Sequence, residues 1–283
     1  MHMTMCAIFF HKGNSSMHLR TLSLFFLCFL FQENNSGAHI IEHDCIAEVA
    51  KHLEPNKKML ILFDIDNTLA APSGDLGSDQ WFNHIVTVYQ QQGFATKDAF
   101  KTAVDLYHHI HAHLDLKPAE AETPAFVASL QKKNIPVLAL TARSFIERTF
   151  EQLETIAIDF TPNAVTNNTF DLSQQHPAFY QQGIIFSGNN NKGLVLCAFF
   201  DRIGYQPDKI IYVDDKEGNI KAVEEAVEKR GIEFVGIRYS RLDDKVKKLD
   251  ITTAQKQLTT FLQEYPFPTP PHIDVLATMS SAI

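Results

Sequence analysis

The sequence predicts an α/β fold: a largely parallel β-sheet with helices on both faces. Three observations point there. Short apolar runs such as Met59-Leu-Ile-Leu-Phe63, Ile135-Pro-Val-Leu-Ala-Leu140 and Lys209-Ile-Ile-Tyr-Val213 have the length and uniform hydrophobicity of strands buried on both faces. Longer stretches with helical spacing separate them, and strands that alternate with helices pair in parallel. Each run also ends in a polar residue, and in such sheets ligands bind beyond the carboxyl ends of the strands.

Taken in order, the chain begins with an address. Leu22-Ser-Leu-Phe-Phe-Leu-Cys-Phe-Leu-Phe31 is almost wholly apolar, far shorter than the roughly 20 residues a spanning helix needs. It has the length of a signal-peptide core, with Lys12, His18 and Arg20 as its positive flank. Ser36-Gly37-Ala38 offers small residues for a cut before His39, so residues 1–38 read as an export signal, with Met17 as an alternative start. A buried hydrophobic helix and an uncleaved anchor are the competing readings. Cys45 and Cys197 then remain, and an oxidising compartment would permit them to pair.

Residues 39–283 form the expected domain. After the first strand, Asp79 to Gly93 and Thr96 to Leu114 have helical spacing and form an insertion of about residues 76–120. Thr123-Pro124 opens a helix, with Pro suited to its first turn. The strand at 135–140 leads to a helix through Leu153. Gly183-Ile-Ile-Phe186 is a short strand, followed by a helix from Lys192 to Ile203. The strand at 209–213 leads to a helix from Glu217 to Lys229, a strand from Glu233 to Tyr239 and a helix from Thr253 to Gln263. Pro266, Pro268, Pro270 and Pro271 exclude regular structure in the tail.

Composition narrows the function. The chain has 283 residues, 45% of them hydrophobic, and a net charge of −8 with its 25 Lys and Arg scattered, so it is a globular protein without the basic stripe of a nucleic-acid binder. Four Cys are too few for a disulfide scaffold.

The chemistry lies at the strand ends. The first strand ends in Asp64-Ile-Asp66-Asn67-Thr68, the second in Thr141-Ala142-Arg143, and the fourth in Asp214-Asp215-Lys-Glu-Gly-Asn219; Lys192 opens a helix after an Asn-rich loop. These four blocks, in this order, resemble the haloacid dehalogenase (HAD) superfamily of aspartate-nucleophile phosphohydrolases, from Met59 to about Tyr239. The export signal, the small insertion with its Trp81 and the Thr-Ala-Arg block look most like the secreted class B and class C acid phosphatases.

The resemblance implies a role for each residue. Asp64 would be the nucleophile, and Asp66 would protonate the leaving alcohol and then deprotonate water. Thr141, Asn67 and the amides around Asp66 and Ala142 would hold the phosphoryl oxygens, with Lys192 screening charge. Asp64, Asp214 and Asp215 are hard oxygen donors that suit Mg²⁺, and the family pattern adds the main-chain carbonyl of Asp66. A divalent ion answers a definite need, because a carboxylate about 4 Å from a phosphate charge is repelled by roughly 4 kcal/mol at an effective dielectric near 20. Asp215 reads equally as a direct ligand or as an acceptor behind one. Arg143 reads as a phosphate contact or a surface ion pair, and Asn219 as a group near the metal or a helix start.

The expected partner is therefore a small phosphate ester, met outside the cytoplasm, in the periplasm or beyond, with no stable membrane span once the signal is cut. Two rivals stay open: a secreted binding or effector protein that keeps the scaffold, and a phosphotransferase. Trp81, Phe82, Tyr89, Phe94, Phe100 and Tyr107 give the insertion an aromatic side, either to favour an apolar leaving group or simply to dock the lid. The polar segment 162–182 could border the same mouth. His108 to His113 reads as a solvated helix face, with Zn²⁺ binding by His109 and His113 as the sharper alternative.

Overall fold

Alternate residues of the apolar runs belong to opposite faces of one sheet. A computed structural model describes residues 40–268; the expected export signal, the cut after Ala38 and the alternative start at Met17 lie outside the described residues. In chain order the elements are β1 (Ile41–His43), a 3₁₀ helix (Ile46–His52), β2 (Met59–Phe63), β3 (Ala70–Pro72), α1 (Asp79–Gln91), α2 (Thr96–His111), β4 (Leu116–Pro118), α3 (Thr123–Lys132), β5 (Val137–Thr141) and α4 (Ile146–Thr155). There follow β6 (Phe170–Asp171), β7 (Phe179–Gln181), β8 (Ile184–Phe186), α5 (Lys192–Ile203), β9 (Lys209–Asp214), α6 (Glu217–Glu228), β10 (Glu233–Tyr239), α7 (Asp243–Lys247) and α8 (Ile251–Glu264).

The sheet has eight strands in the order β1-β10-β9-β2-β5-β8-β7-β6. The six from β1 to β8 pair in parallel, and β7 and β6 continue antiparallel. Met59, Ile61 and Phe63 point into one core with Val127 and Leu130 of α3 and Leu153 of α4. Leu60 and Leu62 point into the other, with Val195, Phe199 and Phe200 of α5 and Val223 and Val227 of α6. Two-residue periodicity thus builds two helix layers around one sheet, and the expected fold class is the observed one.

Packing between α5 and α6 depends on Gly193: a Cβ there would sit 2.1 Å from the carbonyl oxygen of Ala222. That close approach sets where Lys192, one residue earlier, enters the sheet edge.

The segment between β3 and β4 is a helical insertion, called the lid below. β3 and β4 pair antiparallel at its neck, and α1 and α2 pack together above it. Its core, with Trp81, Ile85, Tyr89, Leu106 and Ile110, is closed from outside by Ala254 and Leu258 of α8. Ser78 caps α1 by accepting the Trp81 amide at 3.2 Å, and Asp250 caps α8. Segment 162–182 is more regular than expected, since it contributes the β6–β7 hairpin to the sheet edge. Cys45 and Cys197 are both free thiols, so the pairing considered from sequence does not occur in the structure. Among the described residues no helix is long and apolar enough to cross a membrane.

Candidate active site

Register places the acids. Phe63 of β2 lies opposite Val213 of β9, so Asp64 and Asp214 leave adjacent strand tips side by side, and Asp64 N–H donates to the Val213 carbonyl at 2.9 Å. Asp215 completes a group in which one oxygen from each of Asp64, Asp214 and Asp215 lies within 4.8 Å of the others. Lys192, at the first turn of α5, donates to Asp64 Oδ1 and Asp214 Oδ2, both at 2.8 Å, and to the Tyr212 hydroxyl at 3.0 Å. Tyr212 in turn donates to Asp214 Oδ2. Asn219 Nδ2 and the Lys216 amide also donate to Asp214, so Asn219 steadies that carboxylate from the start of α6.

Electrostatics at the trio favour a cation. Burial, and then the charges of Asp214 and Asp66, push the Asp64 carboxyl well above its ordinary range against the pull of Lys192. Burial, and then the charges of Asp64 and Asp214, raise Asp215. One oxygen of Asp215, Oδ1, is buried without a hydrogen-bond partner. An orphaned carboxylate oxygen beside two others fits a hard divalent ion.

Residues 65–70 form a tight turn that carries Asp66 away from the trio. Asn67 sits in the left-handed region at φ 59°, which Asn tolerates better than most residues. Its amide donates to Ala70 O at 2.9 Å and its side chain donates to Asp215 Oδ2 at 3.4 Å. In the structure the Asn67 donors shape the turn and reach Asp215. Thr68 Oγ1 accepts the Asp215 amide.

Thr141 ends β5 beside β8, where the Ser187 amide donates to its carbonyl at 2.7 Å. Its hydroxyl accepts the Arg143 amide at 3.2 Å. Arg143 is not the surface ion pair considered from sequence: it is buried and forms a fork on the Asp66 carboxylate, Nε to Oδ2 at 2.8 Å and Nη2 to Oδ1 at 2.7 Å. Burial works to raise the Asp66 pKa, but the guanidinium overrides it and holds that carboxyl below its ordinary value. Sequence reasoning missed this pair, and it missed Tyr212. The signal for Tyr212 was available, because residues two apart on a strand share a face.

A cleft of about 430 Å³ opens between the lid and the strand ends, with Asp66, Ala142 and Arg143 at its floor. Phe82, Phe100 and Tyr107 of the lid and Phe145 of the core form apolar walls, and His176 of the polar segment reaches the same mouth. The six lid aromatics therefore divide. Phe82, Phe100 and Tyr107 face the cleft, whereas Trp81, Tyr89 and Phe94 pack in the lid core. Lys216 pairs with Asp79 across the lid and core at 2.5 Å.

The histidine run is solvated only in part: His113 is exposed, and His108 and His109 are half-buried. His111 is fully buried and donates from Nε2 to Gly77 O at 2.8 Å. His109 bonds the Tyr265 carbonyl and His113 stacks on the Tyr265 ring, so the end of α2 docks on the C-terminal helix. Among the described residues, the acidic trio is the group with metal-ligand geometry, and His109 and His113 have no third ligand.

Residues 42–265 match the family described as "Protein of unknown function (DUF2608)". Among curated proteins, the chain is 27% identical over 212 residues to one from Chlamydia muridarum, covering 73% of this chain and 79% of that one. It is 24% identical over 225 residues to one from Chlamydia trachomatis, covering 77% and 85%. Both carry the name "Putative outer membrane protein". Among solved structures, it is similar to a haloacid dehalogenase-like family hydrolase from Streptococcus pneumoniae at a TM-score of 0.40 and 15% identity, covering 62% of this chain and 83% of that one.

Proposed function

The chain belongs to the DUF2608 family, and we propose that it is an exported, Mg²⁺-dependent phosphomonoesterase acting through an aspartyl-phosphate on Asp64. The observation that carries this reading is the convergence of Asp64, Asp214, Asp215 and Lys192 at one strand edge, next to a cleft floored by Asp66. Bound Mg²⁺, held by Asp64, Asp214, Asp215 and the Asp66 carbonyl, would screen the nucleophile from the phosphate dianion and fix their alignment.

The side chains divide the remaining work. An oxygen of Asp64 attacks phosphorus as the bond to the ester oxygen breaks, and Asp66 gives that oxygen its proton. Asp66, now a carboxylate, takes a proton from the water that attacks the aspartyl-phosphate, so inorganic phosphate leaves and both acids return to their starting forms. Lys192 stays on Asp64 and Asp214, and Thr141 and the Ala142 amide border the phosphoryl oxygens. The walls formed by Phe82, Tyr107 and Phe145 suit an ester with an apolar or aromatic alcohol.

Export is supported by the apolar run at 22–31 with its basic flank and by the outer-membrane name of the relatives. Cell fractionation that recovers only an uncut cytoplasmic form would remove that part of the reading. The activity is tested with 4-nitrophenyl phosphate, with and without a chelator. Hydrolysis is expected to vanish with the chelator, return with Mg²⁺ and be absent in Asp64→Asn. Activity that survives either change would refute the mechanism.

A further inference from the structure

The fork of Arg143 on Asp66 is backed by a chain of hydrogen bonds that leads into the lid. Arg143 Nη1 donates to Gln152 Oε1 at 2.9 Å. The amide nitrogen of Gln152 donates to Leu114 O at 2.6 Å and to His111 Nδ1 at 3.3 Å. His111 then donates from Nε2 to Gly77 O, at the start of the lid. Each polar atom in this chain has one compatible role. A flipped Gln152 amide would turn its NH₂ on the guanidinium, and a His111 rotated about its ring would lose Gly77.

Packing fixes the same groups. Gln152 and His111 are fully buried. The His111 ring lies 4.2 Å from Tyr107 and 5.0 Å from Phe145, and Phe145 also carries the Arg143 guanidinium at 5.0 Å. Gly77, at φ 72°, lets the backbone approach: a Cβ there would lie 2.7 Å from Leu114 and 3.5 Å from His111 Nε2. The chain therefore joins the root of the lid, the end of α2, helix α4 and the group at the cleft floor.

We propose that Gln152 and His111 are positioning residues for proton transfer by Asp66, acting through Arg143. The inference rests on the phosphomonoesterase reading above. Arg143 occupies both Asp66 oxygens. To carry a proton, Asp66 must give up one of the two bonds, and Arg143 is then free to follow or swing away. Gln152 holds the far side of the guanidinium, so Arg143 keeps its place and Asp66 re-forms the same fork after each proton transfer. Gln152 belongs to α4 of the core whereas His111, Leu114 and Gly77 belong to the insertion, so the same bonds that hold the guanidinium tie it to the lid. Proton transfer by positioned groups is a geometric requirement before it is a matter of acidity.

The test compares two esters of similar shape and different leaving groups. 4-Nitrophenolate leaves without protonation, whereas the alkoxide of benzyl phosphate must be protonated as it leaves. Gln152→Leu should lower kcat for benzyl phosphate about tenfold more than for 4-nitrophenyl phosphate, with KM for both changing by less than about twofold. His111→Phe, which keeps the ring packing and leaves Gln152 on Leu114, should shift the ratio in the same direction and covers the case in which Gln152→Leu does not fold. Equal losses on the two esters, or none, would overturn the inference while leaving the phosphatase reading intact. Failure of the wild-type protein to hydrolyse either ester would remove both.

Discussion

Burying a neutral imidazole makes stability depend on pH in a way that can be worked out from His111. Burial, and then the charge of Arg143, pull its pKa from the ordinary 6.5 to about 4. Nδ1 accepts from Gln152 and Nε2 donates to Gly77, so only the neutral ring satisfies both neighbours. Between pH 6.5 and about 4 the unfolded chain takes up a proton that the folded chain refuses. Stability from this group is therefore complete above pH 6.5 and is lost as the pH falls towards 4. Each pH step in that window is worth about 1.4 kcal/mol, which makes the full loss about 3 kcal/mol. His111→Phe removes the titration and keeps the packing against Tyr107 and Phe145. At neutral pH it should be less stable than wild type by about 1–3 kcal/mol, because the buried Gly77 carbonyl loses its donor. The deficit should shrink by about 2–3 kcal/mol on going from neutral pH to about pH 4.5. Urea unfolding of both proteins across that range measures the difference directly. Parallel stability curves would show that His111 is charged or solvated in the folded protein, and the reasoning would fail.

Two further outcomes follow from contacts at the core of the site. Gly193→Ala drives a methyl group into the Ala222 carbonyl, so α5 must shift; urea unfolding should show a loss of about 1–3 kcal/mol, and phosphatase activity should fall because Lys192 moves with the helix. Tyr212→Phe removes a hydroxyl that accepts from Lys192 and donates to Asp214; it should cost about 1–3 kcal/mol in stability and lower kcat, and a variant with unchanged kcat would show that Lys192 is held well enough without it.

What could be read in the sequence, and what could not, divides by the distance over which structure is determined. β2, β5 and β9 were legible because uniform apolar runs have one stable use, a strand covered on both faces. Asp64, Thr141 and Asp214 were legible because a strand tip gives its polar residue little choice of position. β3 and β4 were not, since three residues containing a proline carry no period to detect. Arg143 was read as a phosphate ligand or a surface cation because its partner lies on another strand's turn, 77 residues away in the chain. The burial of His111 depends on α2 packing at once against α1, α4 and the C-terminal helix. The left-handed turn at Asn67, which closes its amide onto Ala70, left no period in the sequence to detect.

The charge distribution gives these residues a common logic. Lys192 pairs with Asp64 and Asp214, and Asp215 completes the acidic trio beside them. Fully ionised, that group carries a charge of about −2, which one divalent cation would neutralise. The Asp66 carboxylate pairs with Arg143 instead. The two cations are thus assigned to separate duties. Lys192 bridges Asp64 and Asp214, and Arg143 holds the Asp66 carboxylate apart from them. Exchanging them would not preserve either duty: lysine lacks the planar fork that fixes the Asp66 carboxylate, and arginine is too broad for the gap between Asp64 and Asp214. Under the proposed reading, such a site would admit a phosphate dianion into a chain whose net charge is −8, because repulsion at the cleft floor is set by the local balance and not by the total.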